Sequence, residues 1–196
     1  VAKAWEHIAA IGRRAFWEPE DVLIIGAGPI GLLAALIAVQ YGPYGRVHVV
    51  DQVTSGPKPS LVEALGATYH TDLESALALG QDIIVECTGV APLIRAAAEA
   101  AAPGAIICLT GVGPDVVPDA SSATTVASDA VLKNLVLFGS VNANRRHYYR
   151  AAQALARADR AWLEQLLTRR VRPEKFEDAL EREADDIKVV IEFAAA

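Results

Sequence analysis

Val22-Leu23-Ile24-Ile25-Gly26-Ala27-Gly28-Pro29-Ile30-Gly31 decides how this 196-residue chain is read, because an apolar run passes there into G-x-G-x-x-G and on into the apolar Leu32-Leu33-Ala34-Ala35-Leu36. An apolar strand followed by spaced glycines and an apolar helix has a steric logic. Gly26 permits a tight turn, Gly28 lets the backbone come close to a pyrophosphate, and Gly31 lets the helix lie against the strand. An anion held there meets unpaired backbone N–H groups and the positive end of the helix dipole, so no lysine is required. Pro29 suits the first helical turn, where a missing N–H costs nothing. Ala27, Pro29 and Ile30 complete the candidate phosphate loop.

The next apolar run, Arg46 to Val50, ends in Asp51, twenty residues beyond Gly31. That is the position of the acid that binds the ribose hydroxyls of a dinucleotide's adenosine. Gln52 follows it. A carboxylate there repels a 2'-phosphate, so Asp51 argues for NAD, with NADP possible. The nearest compensating cation is Lys58, seven residues on in a proline-rich loop that could fold back.

Six runs read as strands: Val22 to Ile25, Arg46 to Val50, Ala67 to His70, Asp82 to Glu86, Ala105 to Thr110 and Leu135 to Ser140. They are continuously apolar or β-branched, as strands covered by helices on both faces are, and not alternating. The expected fold is α/β, a doubly wound parallel six-stranded Rossmann sheet with a short C-terminal tail of helix and strand. Helices fall between the strands, with Pro92 near one start and Ser60 and Glu63 spaced as a capping box. Residues 1–20 read as a leading or linker helix with Ala4, Trp5, Ile8, Ile11 and Ala15 on one face; 21–160 as the dinucleotide-binding domain; and 161–196 as a tail that is not another βαβ unit. The tail divides into helices from about 160 to 167 and 173 to 183, then a strand from Ile187 to Phe193.

Ligands of open parallel sheets lie beyond the carboxyl ends of the strands. The small polar residues there, Thr88 and Gly89, Thr110, Gly111 and Val112, and Ser140 and Val141, are the candidates for a flat nicotinamide ring.

Composition narrows the partners. Hydrophobic residues make up 53% of the chain, enough for a sizeable core, and 18 basic residues scattered among 24 acidic ones leave a net charge of -6. No basic stripe tracks a phosphate backbone, so nucleic acid is not expected as a partner. The apolar stretches are too short for a bilayer, so no membrane is expected either. Cys87 and Cys108 both fall in strand-like runs, which suits a reduced cytoplasmic protein. The start at Val1 and the lack of methionine read as a piece of a longer protein.

With these features in hand, the chain resembles the cofactor-binding part of medium-chain dehydrogenases. Pro173, Phe176 and Ala179 in V-R-P-E-K-F-E-D-A-L-E and the closing I-K-V-V-I-E-F are similar to the segment that ends that superfamily. Gly139-Ser140-Val141-Asn142-Ala143-Asn144 is most similar to the archaeal-type glucose (aldose) 1-dehydrogenases. The resemblance implies a two-lobed, homo-oligomeric enzyme that moves hydride from C1 of an aldose to a nicotinamide, giving a lactone. It also implies a catalytic zinc with Cys, His and Glu ligands in a lobe absent here. His7, His48, His70, His147, Cys87 and Cys108 lack metal-ligand spacing. No metal ligand and no catalytic residue are therefore expected in this chain, while the resemblance places Asn142 against the sugar. An alcohol or polyol dehydrogenase, a stand-alone NAD sensor and a methyltransferase are the competing expectations.

Overall fold

The computed structural model describes residues 1–13, 17–42, 44–113 and 120–193, with side chains from 126 onward in the last stretch. The elements run α1 (Ala2–Gly12), β1 (Asp21–Ile25), α2 (Pro29–Tyr41), β2 (Arg46–Val50), α3 (Pro57–Ala64), β3 (Thr68–His70), α4 (Leu73–Leu77) and β4 (Ile83–Glu86). They continue with α5 (Ala91–Ala100), β5 (Ile106–Leu109), α6 (Ala120–Leu132), β6 (Val136–Gly139), α7 (Arg145–Arg157), α8 (Arg160–Leu166), β7 (Arg169–Val171), a 3-10 helix over Pro173–Ala179, and β8 (Val189–Ile191).

Six strands form one sheet in the order β3-β2-β1-β4-β5-β6, every pair parallel. All six expected strands are present, within a residue or so at each end. Ile25 lies opposite Val50 on one side and Glu86 on the other. The chain therefore winds outward in both directions from β1, and the crevice such a reversal opens lies at the carboxyl ends of β1 and β4.

β1 is buried along its whole length because its two faces feed two cores. Val22 and Ile24 pack with Ala4, Ile8, Leu32 and Leu61 on one side, while Leu23 and Ile25 pack with Ile84, Ala97, Ala98 and Ile107 on the other. α2 buries Gly31, Leu32, Ala34, Ala35, Leu36 and Ala38, and it packs on α1, α3 and α7 as well as the sheet. That explains an apolar sequence on nearly every side. Two tryptophans tie the outer helices to this core through satisfied indole N–H groups: Trp5 donates to the Ala34 carbonyl at 3.2 Å and Trp162 to that of Leu61 at 2.8 Å. Ala15 lies outside the described residues, and α1 stops at Gly12.

Three local expectations change. Ser60 and Glu63 do not form a capping box: α3 begins at Pro57 with Gly56 as its cap, and Ser60 Oγ donates back to the Pro57 carbonyl at 3.0 Å. Proline's fixed φ and missing N–H start the helix four residues earlier than a Ser60 cap would. β6, as an edge strand, alternates between half-buried and exposed positions, so only one of its faces is covered. The tail does contain a small parallel unit, since β7 pairs with β8 across the 3-10 helix. β7 escapes sequence reading because Arg169-Arg170-Val171 looks polar. Arg169 Nη2 sits 2.7 Å from Asp186 Oδ2 and its Nη1 2.9 Å from Glu183, which lets a charged residue occupy a strand. Among the described residues no helix is long and apolar enough to cross a membrane.

Candidate cofactor site

Gly26 leaves β1 at φ +100°, a conformation that L side chains rarely adopt, and its N–H donates to the Val50 carbonyl at 2.8 Å. Gly31 allows the close approach that follows: a Cβ there would lie 1.8 Å from the Gly26 carbonyl oxygen. Above Gly28 a Cβ would meet nothing within 4 Å. The glycines thus divide the work as their spacing implies, two letting the backbone pack on itself and one leaving open space at the α2 N-terminus. That space lies against the first-turn N–H groups of α2, which have no intrahelical partner and suit an anion.

Asp51 is wired into this loop. Its Oδ2 accepts from Ala27 N at 2.7 Å and from Lys58 Nζ at 3.0 Å, and its Oδ1 accepts from Val53 N at 3.1 Å. Burial pushes its carboxyl up, but the hydrogen bonds from Ala27 and Val53 and the Lys58 ammonium outweigh that and hold it below the ordinary range. Lys58 does fold back. It is only 5% exposed and lies against the carboxylate, so the negative charge expected to repel a 2'-phosphate is already compensated. Ala27 contributes its N–H to Asp51 and not to a bound anion.

Gly26, Gly28, Pro29, Asp51, Gln52, Lys58 and Thr88 line one cleft of about 740 Å3. Thr71 and Leu73 after β3, Cys87 and Val90 after β4, and Leu180, Glu181, Arg182 and Asp186 of the tail join them. Sequence reading missed the tail's share. Ala27 and Gly31 lie beneath the loop, and Ile30 is half exposed on α2 outside the cleft lining.

The remaining candidates sit at the carboxyl ends of β4, β5 and β6 without lining that cleft. Gly89 and Gly111 are in backbone contact, for a Cβ on Gly111 would fall 2.1 Å from Gly89 N. Thr110 Oγ1 donates to the Glu86 carbonyl at 2.9 Å. Ser140 N donates to the Leu109 carbonyl at 2.9 Å. Val112 and Val141 are 89% and 70% exposed, and Asn142, at φ +61°, is exposed beside them.

Glu86 was not among the candidates. It ends β4 wholly buried, its carboxylate accepting from Thr88 N at 2.6 Å, from the Thr88 hydroxyl, and from Gly89 N at 3.0 Å. The only sequence signal was an acid closing an apolar strand. The two thiols are held un-ionised by burial, Cys87 pushed up to about 11 and Cys108 to about 12. Among the described residues no three His, Cys, Asp or Glu side chains converge as a metal set.

A parallel sheet in this strand order, with a glycine turn at the α2 N-terminus and an acid at the end of β2, defines a Rossmann-type dinucleotide-binding domain. The chain belongs to the family described as glucose dehydrogenase C-terminus, which matches residues 1–193. It is 34% identical over 204 aligned positions to a glucose 1-dehydrogenase of Methanocella arvoryzae, covering 100% of this chain and 56% of that protein. A solved glucose dehydrogenase of Haloferax mediterranei, in complex with NADP, Zn and gluconolactone, superposes with a TM-score of 0.86 at 28% identity, over 100% of this chain and 57% of the other. An alcohol dehydrogenase of Thermotoga maritima matches less well, with a TM-score of 0.73 at 25% identity, over 97% of this chain and 54% of its own. The chain thus spans little more than half the length of the relatives it matches.

Proposed function

We propose that this chain is the nicotinamide-dinucleotide-binding part of an aldose 1-dehydrogenase that transfers hydride from C1 of glucose or a similar aldose to NAD(P), giving the lactone. The observation that carries this reading is the open space over Gly28 beside the half-buried Asp51, in a chain of the glucose dehydrogenase family. The nicotinamide, when bound, supplies the hydride acceptor. Gly28 and the α2 N-terminus hold the pyrophosphate. Asp51 Oδ1, which takes one donor within the chain, keeps an acceptor site for a ribose hydroxyl. Thr88, Thr110, Gly111 and Ser140 flank the ring, and Asn142 stands where the sugar would approach. Zinc, present in the Haloferax relative, would be held by residues outside this chain and polarise the C1 hydroxyl.

The acid at the end of β2 favours NAD as the cofactor, and NADP is admitted because Lys58 offsets Asp51 and Arg182 lines the same cleft. Residues 1–20 and 161–196 are read as the segments that flank the dinucleotide domain and lead to the missing lobe. The exposed β6 edge, with Leu137 facing solvent, supports pairing with a second copy. Free Cys87 and Cys108 suit a cytoplasmic setting.

The test is a calorimetric titration of the chain with NADH and NADPH side by side, and of the full-length protein with glucose and NAD or NADP. Binding to the chain together with glucose-dependent reduction by the long form is expected. Binding without any aldose oxidation would reject the sugar assignment, and reduction with simple alcohols in place of sugars would move the chain to the alcohol branch.

A further inference from the structure

Glu86 is a buried carboxylate whose hydrogen-bond partners are all neutral. Its Oε1 lies within hydrogen-bond distance of Thr88 N, the Thr88 hydroxyl and Gly89 N, and its Oε2 shares that same Gly89 N–H at 3.0 Å. Its backbone carbonyl takes Thr110 N at 2.8 Å and Gly111 N at 3.2 Å, so one residue ties together the loops that follow β4 and β5. Among the described residues no Lys, Arg or His forms an ion pair with it, whereas Asp51 has Lys58 and Asp21 has Arg46.

Burying an unpaired carboxylate is costly, and a glutamine or a backbone carbonyl would accept an N–H far more cheaply. A costly group placed where a cheaper acceptor would serve points to a use for the charge. The residues directly above it, Cys87 and Thr88, line the cleft on the β4 side of the point where strand order reverses. That is the side toward which a dinucleotide anchored at Gly28 and Asp51 extends its nicotinamide. Two cations lie on this side of the sheet: Lys3 reaches the Val141 carbonyl at the exposed rim, where water screens it, and the Val1 amino group faces Cys87 and Cys108, but neither forms an ion pair with Glu86 among the described residues.

We propose that Glu86 is the charge counterpart of the oxidised nicotinamide, favouring the cationic ring of NAD+ over the neutral ring of NADH from beneath the Thr88–Gly89 loop. This rests on the cofactor reading above. It makes Glu86 a positioning residue with an electrostatic second role: it fixes the loop for both redox forms and stabilises only one of them.

The experiment measures dissociation constants for NAD+ and NADH on the unsubstituted chain, Glu86→Gln and Glu86→Asp. Glu86→Gln is expected to weaken NAD+ on the order of tenfold more than NADH, the size of one charge interaction at an intermediate dielectric. Glu86→Asp, which disturbs the loop but keeps the charge, is expected to preserve the unsubstituted ratio. Equal weakening of both forms by Glu86→Gln, or no change in either, overturns the proposal. Should Glu86→Gln fail to fold, the unsubstituted chain decides: NAD+ bound within a few-fold of NADH supports the charge, and a hundredfold preference for NADH refutes it. A folded chain that binds neither form removes the cofactor reading itself, a result distinct from an unshifted ratio.

Discussion

At the β1–β2 end of the cleft each key polar group is bonded to another group of this chain, Asp51 to Ala27, Val53 and Lys58, and Gly26 to Val50. At the β5–β6 end the side chains of Val112, Val141 and Asn142 stand in solvent, and the backbone there is held by Glu86 and Thr110 from below, by Ser140 N on the Leu109 carbonyl and by Lys3 on the Val141 carbonyl. The first end has its polar groups already fixed, as the proposed cofactor site requires. The second leaves apolar side chains exposed, which on the proposed function a second lobe would cover. A dinucleotide bridging the two would be anchored by the adenosine end and left incompletely enclosed at the reacting end.

The sharpest way to break the comparison is at the finished end. Gly31→Ala puts a methyl 1.8 Å from the Gly26 carbonyl, so strand and helix must separate. A loss of about 3 kcal/mol in urea unfolding is expected, as overpacking against backbone costs. Asp51→Ala comes next, because it leaves the buried Lys58 ammonium without a partner; about 3 kcal/mol is again expected, largely recovered in Asp51→Ala/Lys58→Met. Recovery of stability without recovery of NADH affinity in the double variant would separate the acid's structural role from recognition. Gly28→Leu, where a Cβ meets nothing, is expected to leave the melting temperature unchanged while NADH binding falls at least about a hundredfold, close to 2.7 kcal/mol. A Gly28→Leu chain that still binds NADH would move the pyrophosphate elsewhere.

That asymmetry also governs what the amino-acid order revealed. The doubly wound sheet was legible because Val22, Leu23, Ile24 and Ile25 are apolar on both faces, and only a strand between two helical layers needs that. Asp51 was legible from its spacing to Gly31. Lys58 could be suspected but not placed, since its approach depends on Gly56 turning the chain at φ +85° before α3. The tail's contribution was hidden, because Arg182 and Asp186 enter the cleft only once β7 and β8 pair, and β7 is polar in sequence. Glu86 was hidden for a different reason: apart from the Thr88 hydroxyl, its partners are main-chain N–H groups two and three residues on, which leave no trace in side-chain pattern.

A smaller effect lies behind the finished end. His48 and His70 meet across β2 and β3, ring nitrogens 2.9 Å apart. Burial and then the neighbouring His70 lower His48, and burial lowers His70, from the usual 6.5. The unfolded chain therefore binds more protons just below that value, and stability, full above about pH 6.5, falls as pH drops through it. Asp21, lowered by its hydrogen bond from Arg46, and Asp51 add stability that is present above about 3.8 and lost at more acid pH. Urea midpoints across pH 3 to 8 are expected to show two steps, and His48→Gln/His70→Gln to remove the upper one only.

The least effect on stability is expected at the unfinished end, and there the smallness is the point. Val112 and Val141 make little contact within this chain, so Val112→Ser/Val141→Ser should change its unfolding free energy by no more than about 0.5 kcal/mol, as exposed substitutions do. NADH binding to the chain should also hold within a few-fold. In the full-length protein the same pair of substitutions should lower kcat/KM for the sugar, because apolar side chains meant to be covered would then face a lobe that loses their contact. Equal silence in the long form would mean the two valines stay in solvent there too, and the β5–β6 end would have to be completed by other residues.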